Sequence, residues 1–479
     1  MTETRPDATL SEIDRAVNAA GDAFERYSVL PPDDIAAFLE AIATGIEGLG
    51  DDLLRTASAE SSLPMDRLTG ERGRTVGQLR MFAGLVRDGA WKDVRVDQAL
   101  PDRKPLRRPD LRRVLMPIGP VAVWAASNFP LAFSVAGGDT AAALAAGCPV
   151  IVKAHPGHPK TSDLVSGVIS KAASELKIPH GTFSLLHGAS PEVSVALVRH
   201  PGIAAGAFTG SHRAGRALFD AAVSRPTPIP FFAEMGSVNP LFALPGALEA
   251  RGEAIADGLA AAVNLGVGQF CTCPGLVVAV ESEALEQFAG KLRDRFGLGV
   301  PGTMLTPQIA RSYREAVSRI DSMDGVRTTR PQNGSVGESE ALPALFETTA
   351  RAFLEHEELG DEVFGPSTIL VRCANDSELR DVASNLNGSL TATIHGTPAD
   401  LEDHRSLIFL LSRKAGRLIY NGYPTGVEVC SAMQHGGPYP ATSDPRFTSV
   451  GTAAIQRFAR PICFQDFPAE FLPEALRDA

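Results

Sequence analysis

The spacing of hydrophobic positions changes along the chain, and the change predicts its organisation. In residues 10–27 and 32–49 apolar side chains recur every three or four positions, the spacing of one buried helical face. Ser11 and Pro32 stand where helix starts are expected, and the first 90 residues read as helical. From Pro117 onward, short apolar runs alternate with Ala-rich or amphipathic stretches. Strands are predicted at 120–125, 149–153, 182–186, 204–208 and 229–232, with helices at 140–146, 162–176, 191–199 and 211–223. That alternation implies βαβ units, a parallel sheet and right-handed crossovers. A second alternation, from about 240 to 422, places strands at 275–280, 367–371, 391–394 and 417–420. Segment 93–113 is rich in Arg, Pro and Asp and predicts an exposed excursion or hairpin; a last strand is predicted at 459–464.

Composition narrows the class. Of 479 residues, 44 % are hydrophobic and 21 % charged, so there is apolar material for a large core. The formal charge of −11 argues against a nucleic-acid-coating protein and against attraction to anionic membranes. Residues 114–138 are uncharged for long enough to span a bilayer. They contain Pro117, Pro120, Pro130, Ser127 and Asn128, which favour a buried strand and a turn over a membrane helix. Six scattered cysteines make no disulfide framework, and the N-terminus shows no apolar core of a secretory signal; a cytoplasmic setting is expected.

A parallel sheet invites a nucleotide, yet no G-x-G-x-x-G follows a strand and no G-x-x-x-x-G-K-[ST] loop occurs. The run Phe208-Thr209-Gly210-Ser211 ends a strand and opens a helix. Freed N–H groups there could hold a phosphate, or the run is an ordinary turn with Ser211 as N-cap. Gly268-Gln269-Phe270-Cys271-Thr272-Cys273-Pro274 sets two thiols between a helix and a strand. No second Cys or His pair stands nearby for a metal, so no metal site is expected, and C-x-C is not the usual redox spacing. A nucleophile and a buried structural cysteine both remain open.

Six motifs occur in the order of one family: Asn128-Phe129-Pro130, Lys153, Phe208-Thr209-Gly210-Ser211, Glu234-Met235-Gly236, Gly268-Gln269-Phe270-Cys271 and Glu362-Val363-Phe364-Gly365-Pro366. Over roughly 113–466 the chain resembles the aldehyde dehydrogenase superfamily. The strings NFPLAFSVAGGDTAAALAAGCPVIVKAHPGHP and YPTGVEVCSAMQHGGPYPATSDPR resemble its NADP-linked branch that contains α-ketoglutaric semialdehyde dehydrogenases. The resemblance implies an α/β fold of two doubly wound domains with a small β oligomerisation element. Residues 1–92 and 114–235 would form the cofactor domain and 236–425 the catalytic domain. Residues 93–113 and 426–479 would form the oligomerisation element and a segment bordering the active site, in a homodimer or homotetramer.

Carried over residue by residue, the resemblance makes Cys271 the nucleophile and Glu234 the base, with Asn128 an oxyanion donor beside the Cys271 N–H. An apolar site that raises the Glu234 pKa would suit a base at neutral pH. His435 could assist either group or hold a loop, and Cys273 would be a packed neighbour. Lys153 would touch the adenosine ribose, and Glu362 and Phe364 the nicotinamide ribose and ring. NAD-preferring members often carry a glutamate three residues after that lysine; here Pro156 stands there, preceded by His155. With no carboxylate to repel a 2′-phosphate, NADP is expected and NAD tolerated, with Gly210, Ser211 and Arg213 as further phosphate partners. The substrate implied is an aldehyde, α-ketoglutaric semialdehyde first, with Arg446 a candidate for its carboxylate. Alternatives are a medium- or long-chain aliphatic aldehyde, or a silent member serving as a binding or structural protein.

Overall fold

The computed structural model describes residues 5–332 and 336–477. Its first sheet has five parallel strands in the order Phe183–Leu186, Val150–Lys153, Val121–Trp124, Ala205–Thr209, Phe231–Glu234. Val121–Trp124 and Val150–Lys153 are buried at every position, as strands covered on both faces should be. Successive side chains go to different layers. Val121 and Val123 pack with the helices Pro32–Gly48, Met65–Asp88 and Gly138–Ala145, while Ala122 and Trp124 pack with Leu10–Tyr27, Pro191–Arg199 and His212–Val223. Strand order reverses between Val121–Trp124 and Ala205–Thr209. The strand ends there form the crevice where open α/β sheets take ligands.

The second sheet has seven strands in the order Arg327–Thr329, Ala344–Thr349, Ser367–Cys373, Leu276–Val280, Leu241–Ala243, Ser389–His395, Ala415–Tyr420. All pairs are parallel except the first, which is antiparallel. A three-stranded antiparallel sheet joins Arg95–Asp97, Leu111–Pro117 and Ala459–Gln465, so the expected hairpin and the last strand meet.

Several expectations shift. The first helix is capped by Thr9 and not Ser11: Thr9 Oγ1 accepts from the Glu12 N–H while Glu12 caps the Thr9 N–H, a capping box two residues earlier than apolar spacing suggests. The strand Ala344–Thr349 was not expected from pattern because Glu347 interrupts its apolar run. Glu347 is 3 % exposed and ion-paired to Arg293 at 3.0 Å, Arg327 at 2.5 Å and Arg372 at 3.3 Å, partners that only the fold supplies. Residues 114–138 form parts of two strands and a turn, and among the described residues no helix is long and apolar enough to cross a membrane.

Candidate active site

Four elements converge beside the first sheet's strand ends. Glu234 is the last residue of Phe231–Glu234, and its carbonyl accepts the Gly210 N–H at 3.1 Å. Cys271 follows an unusual run: Gly266, Val267 and Gly268 have φ of 57°, 58° and 67°. Val267 is β-branched and held left-handed, at a cost of roughly 1–2 kcal/mol, so the surrounding packing must impose this loop. Gly268 cannot be larger, because a Cβ there would lie 2.2 Å from the carbonyl carbon of Gly365. The loop is thereby seated on the Glu362–Pro366 turn. Asn239 pins it from the other side, its Nδ2 donating to the carbonyls of Cys271 at 2.9 Å and Cys273 at 3.0 Å.

The central cluster is compact. Cys271 Sγ lies 3.5 Å from His435 Nε2, which lies 3.1 Å from Glu234 Oε1. All three functional atoms fall within 4.8 Å of one another, close enough that the set also meets the distance requirement of a three-ligand cation site. Ser449 Oγ donates to Glu234 Oε2 at 2.5 Å, and the His435 N–H donates to Thr448 Oγ1 at 2.8 Å. The C-terminal segment therefore delivers both His435 and Ser449 to the strand-end carboxylate.

Burial raises the Cys271 thiol pKa well above its usual value, and the Glu234 carboxylate raises it further, with Arg74 opposing. The thiol is protonated at rest. For Glu234 the expected direction is corrected. Burial pushes its pKa up, but His435, the Ser449 hydroxyl and the Cys271 thiol beside it outweigh burial and hold it below the ordinary carboxylate value. An apolar wall alone would have raised it; the donors around it decide the sign.

Asn128 is buried at the turn after Val121–Trp124, and its Nδ2 donates to the Gln269 carbonyl at 3.1 Å, which ties that turn to the cysteine loop. One amide hydrogen is left for a ligand oxygen. Two residues past Cys271, the Cys273 Sγ lies 3.9 Å from the Val263 carbonyl and its pKa is pushed up to about 12 by burial.

Of the positions expected to meet a cofactor, Lys153 and Gly210 stand at strand ends of the first sheet, and Glu362 and Phe364 lie on the turn that seats the cysteine loop. Lys153 ends its strand, and burial lowers its pKa to about 8, so it is mostly cationic at neutral pH. His155 Nδ1 accepts the Gly157 N–H at 3.0 Å, which leaves the proton on Nε2. Burial, with His158 and Lys153 nearby, drives the His155 pKa well below its usual value, so it offers a neutral donor and no charge. Pro156 is exposed. Gly210 and Ser211 open the helix His212–Val223, with Ser211 Oγ capping the Ala214 N–H, and Arg213 is exposed in its first turn. Burial raises Glu362 to about 7. A Cβ on Gly236 would meet Glu362 Oε2 at 2.6 Å, and Thr209 Oγ1 is buried without a partner. A Cβ-free cradle beside a carboxyl and an orphaned hydroxyl at a strand end fit a dinucleotide. Phe364 is half-buried against the first sheet's core.

Arg446, the candidate for a substrate carboxylate, has a side chain 79 % exposed and bonded to Asp444 at 2.5 Å. Sequence pattern also missed Ser449, Asn239 and Arg74. Their signal is proximity alone, since Ser449 lies 215 residues from the carboxylate it meets.

Comparison with known proteins agrees with this geometry. The family model described as the aldehyde dehydrogenase family matches residues 2–439. The chain is 50 % identical over 472 residues to α-ketoglutaric semialdehyde dehydrogenase 2 of Azospirillum brasilense, covering 98 % of this chain and 90 % of that one. It is 48 % identical to α-ketoglutaric semialdehyde dehydrogenase of Acinetobacter baylyi, covering 98 % and 89 %. Among solved structures, a lactaldehyde dehydrogenase superposes with a TM-score of 0.81 at 20 % identity, covering 96 % of this chain and 92 % of that one. The Methanocaldococcus jannaschii glyceraldehyde-3-phosphate dehydrogenase complexed with NADP gives 0.79 at 19 %, covering 96 % and 95 %. The chain belongs to the aldehyde dehydrogenase family, oxidoreductases that use NAD or NADP to convert an aldehyde to the acid.

Proposed function

We propose that this enzyme oxidises α-ketoglutaric semialdehyde to 2-oxoglutarate with NADP. The observation that carries the substrate is the 50 % identity to the Azospirillum brasilense enzyme over 98 % of the chain. Cys271 Sγ adds to the aldehyde carbon as the thiol proton passes to the Glu234–His435 pair, both within reach of the sulfur. The new oxyanion is held by the free amide hydrogen of Asn128, a donor whose loss typically costs about 2.7–4 kcal/mol of barrier. The bound nicotinamide cofactor would supply the hydride acceptor for oxidation of the thiohemiacetal to the thioester. Glu234, beside Ser449 and His435, then takes a proton from water as the oxygen attacks the thioester carbon; the C–S bond breaks, the Cys271 sulfur takes back the proton it gave to the pair, the carboxylic acid leaves, and the proton taken from water passes to solvent.

Lys153, Gly210, Ser211, Glu362 and Phe364 would hold the cofactor. NADP over NAD is supported by exposed Pro156, where no carboxylate repels a 2′-phosphate, by Nε2–H of His155 and by the Arg213 charge two residues past Ser211. The support from His155 is that of a neutral donor. Residues 1–92 and 114–235 serve the cofactor and 236–425 the chemistry, with the sheet of 93–113 and the C-terminal strand the oligomerising element. Its seven-residue edge strand Ala459–Gln465 offers unpaired backbone groups for pairing between subunits in a homodimer or homotetramer. Six unpaired thiols suit a reducing cytoplasm.

Specificity constants for α-ketoglutaric semialdehyde, succinic semialdehyde, hexanal and a long-chain aldehyde, each with NADP and NAD, test this. The semialdehyde with NADP should lead. A hundredfold advantage for the long-chain aldehyde would overturn the substrate and leave the catalytic cluster standing.

A further inference from the structure

The helix Met65–Asp88 grips the turn that carries Asn128 at successive positions of one face. Arg67 Nη2 donates to the Asn128 carbonyl at 2.6 Å, and Arg67 Cζ lies 4.6 Å from the Phe270 ring, beside the nucleophile. Glu71 Oε1 accepts the N–H groups of Leu131 at 2.7 Å and Ala132 at 2.9 Å. Arg74 comes next on that face, at i+3 from Glu71 and i+7 from Arg67. Its Cζ lies 5.7 Å from the Phe129 ring and 5.1 Å from the Phe133 ring, and the Phe133 ring is 6.4 Å from His435. The Nε and Nη2 of Arg74 are both buried and have no hydrogen-bond partner.

That pair of atoms is one edge of the guanidinium. It presents two parallel N–H bonds, the arrangement that receives both oxygens of a carboxylate. Buried donors are almost always satisfied, so an entire unsatisfied edge beside a reactive cysteine marks a place a ligand fills. Other cations near the site lack such an edge. Arg67 has only Nη1 without a partner, and the two Nη atoms of Arg417 are taken by the carbonyls of Gly426 and Pro424. Arg446 is bonded to Asp444.

We propose that Arg74 is the carboxylate subsite of this enzyme, taking the remote carboxylate of the aldehyde side-on through Nε and Nη2 while the aldehyde carbon is bonded to Cys271. The proposal rests on the reading that the substrate carries such a group. Burial disfavours the Arg74 cation while Cys271, Glu71, Glu234 and Glu428 favour it, so the guanidinium shares the field of the thiol and a carboxylate seated on its free edge would further stabilise the charge. The carboxylate would lose its hydration on entry, and the unsatisfied edge replaces that shell. Phe129 and Phe133 would exclude water from the bond and hold the guanidinium plane.

The test compares wild type with Arg74→Gln and Arg74→Lys on succinic semialdehyde and butanal, which differ only by the carboxylate. Arg74→Gln should reduce the ratio of their kcat/KM values by at least about 30-fold, mostly through KM, and Arg74→Lys should recover part of it. Binding of glutarate to the enzyme, measured by calorimetry, gives a readout independent of turnover and should weaken at least about tenfold in Arg74→Gln. A wild type that prefers succinic semialdehyde while Arg74→Gln keeps the ratio within threefold overturns the subsite and leaves the function intact. Unchanged glutarate affinity overturns it equally, even if that variant turns over nothing. A wild type indifferent to the carboxylate overturns the proposed substrate class and the subsite with it.

Discussion

Replacing Glu234 by Gln separates the two halves of the reaction. The amide keeps the side chain's size, and Ser449 Oγ, 2.5 Å from Oε2, can still donate to its carbonyl oxygen. What disappears is a negative charge beside Cys271 and a base for the water step. The first loss works in favour of thiolate formation, because the Glu234 carboxylate is one of the causes that raise the Cys271 pKa. Removing it also removes a proton acceptor, so the two effects oppose and acylation should stay within about tenfold of wild type. No such compensation exists for hydrolysis. A positioned base contributes about 10²–10⁴-fold, equivalent to roughly 2.7–5.4 kcal/mol of barrier. Glu234 is 4 % exposed and fixed by two partners, which places its loss in the middle or upper part of that range. Stopped-flow absorbance should therefore show a full burst of reduced cofactor followed by turnover slowed about 10³-fold. Rapid-quench mass spectrometry should find Cys271 carrying the acyl group. Turnover at the wild-type rate, or loss of the burst in proportion to turnover, would refute this division of labour.

Cys271→Ala should abolish cofactor reduction while Cys273→Ala keeps most of it, because Cys273 faces the Val263 carbonyl; an active Cys271→Ala enzyme would refute the assignment. His435→Gln keeps a donor toward Glu234 but cannot carry a proton. Its burst rate at neutral pH should fall about 10²-fold and climb as pH rises, since the thiol is neutral until pH exceeds its raised pKa; an unchanged, pH-independent burst would exclude proton transfer by His435. Pro156→Glu places a carboxylate three residues after Lys153 and should move the ratio of kcat/KM values toward NAD by at least about tenfold; an unmoved ratio would show that residue 156 does not meet the 2′ position.

Most of the frame and the family were legible along the chain. Strands such as Val121–Trp124 and Val150–Lys153 are legible because burial on both faces demands continuous apolar runs, and the order of the motifs carries the family. Two kinds of information were out of its reach. One is any strand whose polar residue is satisfied from afar: Glu347 reads as a break until Arg293, Arg327 and Arg372 are brought around it. The other is the sign of an electrostatic effect. A carboxylate in a dry site should titrate high, yet Glu234 titrates low because Ser449 and His435 arrive from a segment about two hundred residues away. Arg446 and Arg74 show the same limit in reverse. Sequence neighbourhood favoured Arg446, which Asp444 already occupies, while Arg74, far from every motif, keeps a buried donor edge free beside the nucleophile. Residue type and local pattern are written along the chain, but desolvation and hydrogen-bond satisfaction depend on which distant atoms share a cavity, and only tertiary packing sets that.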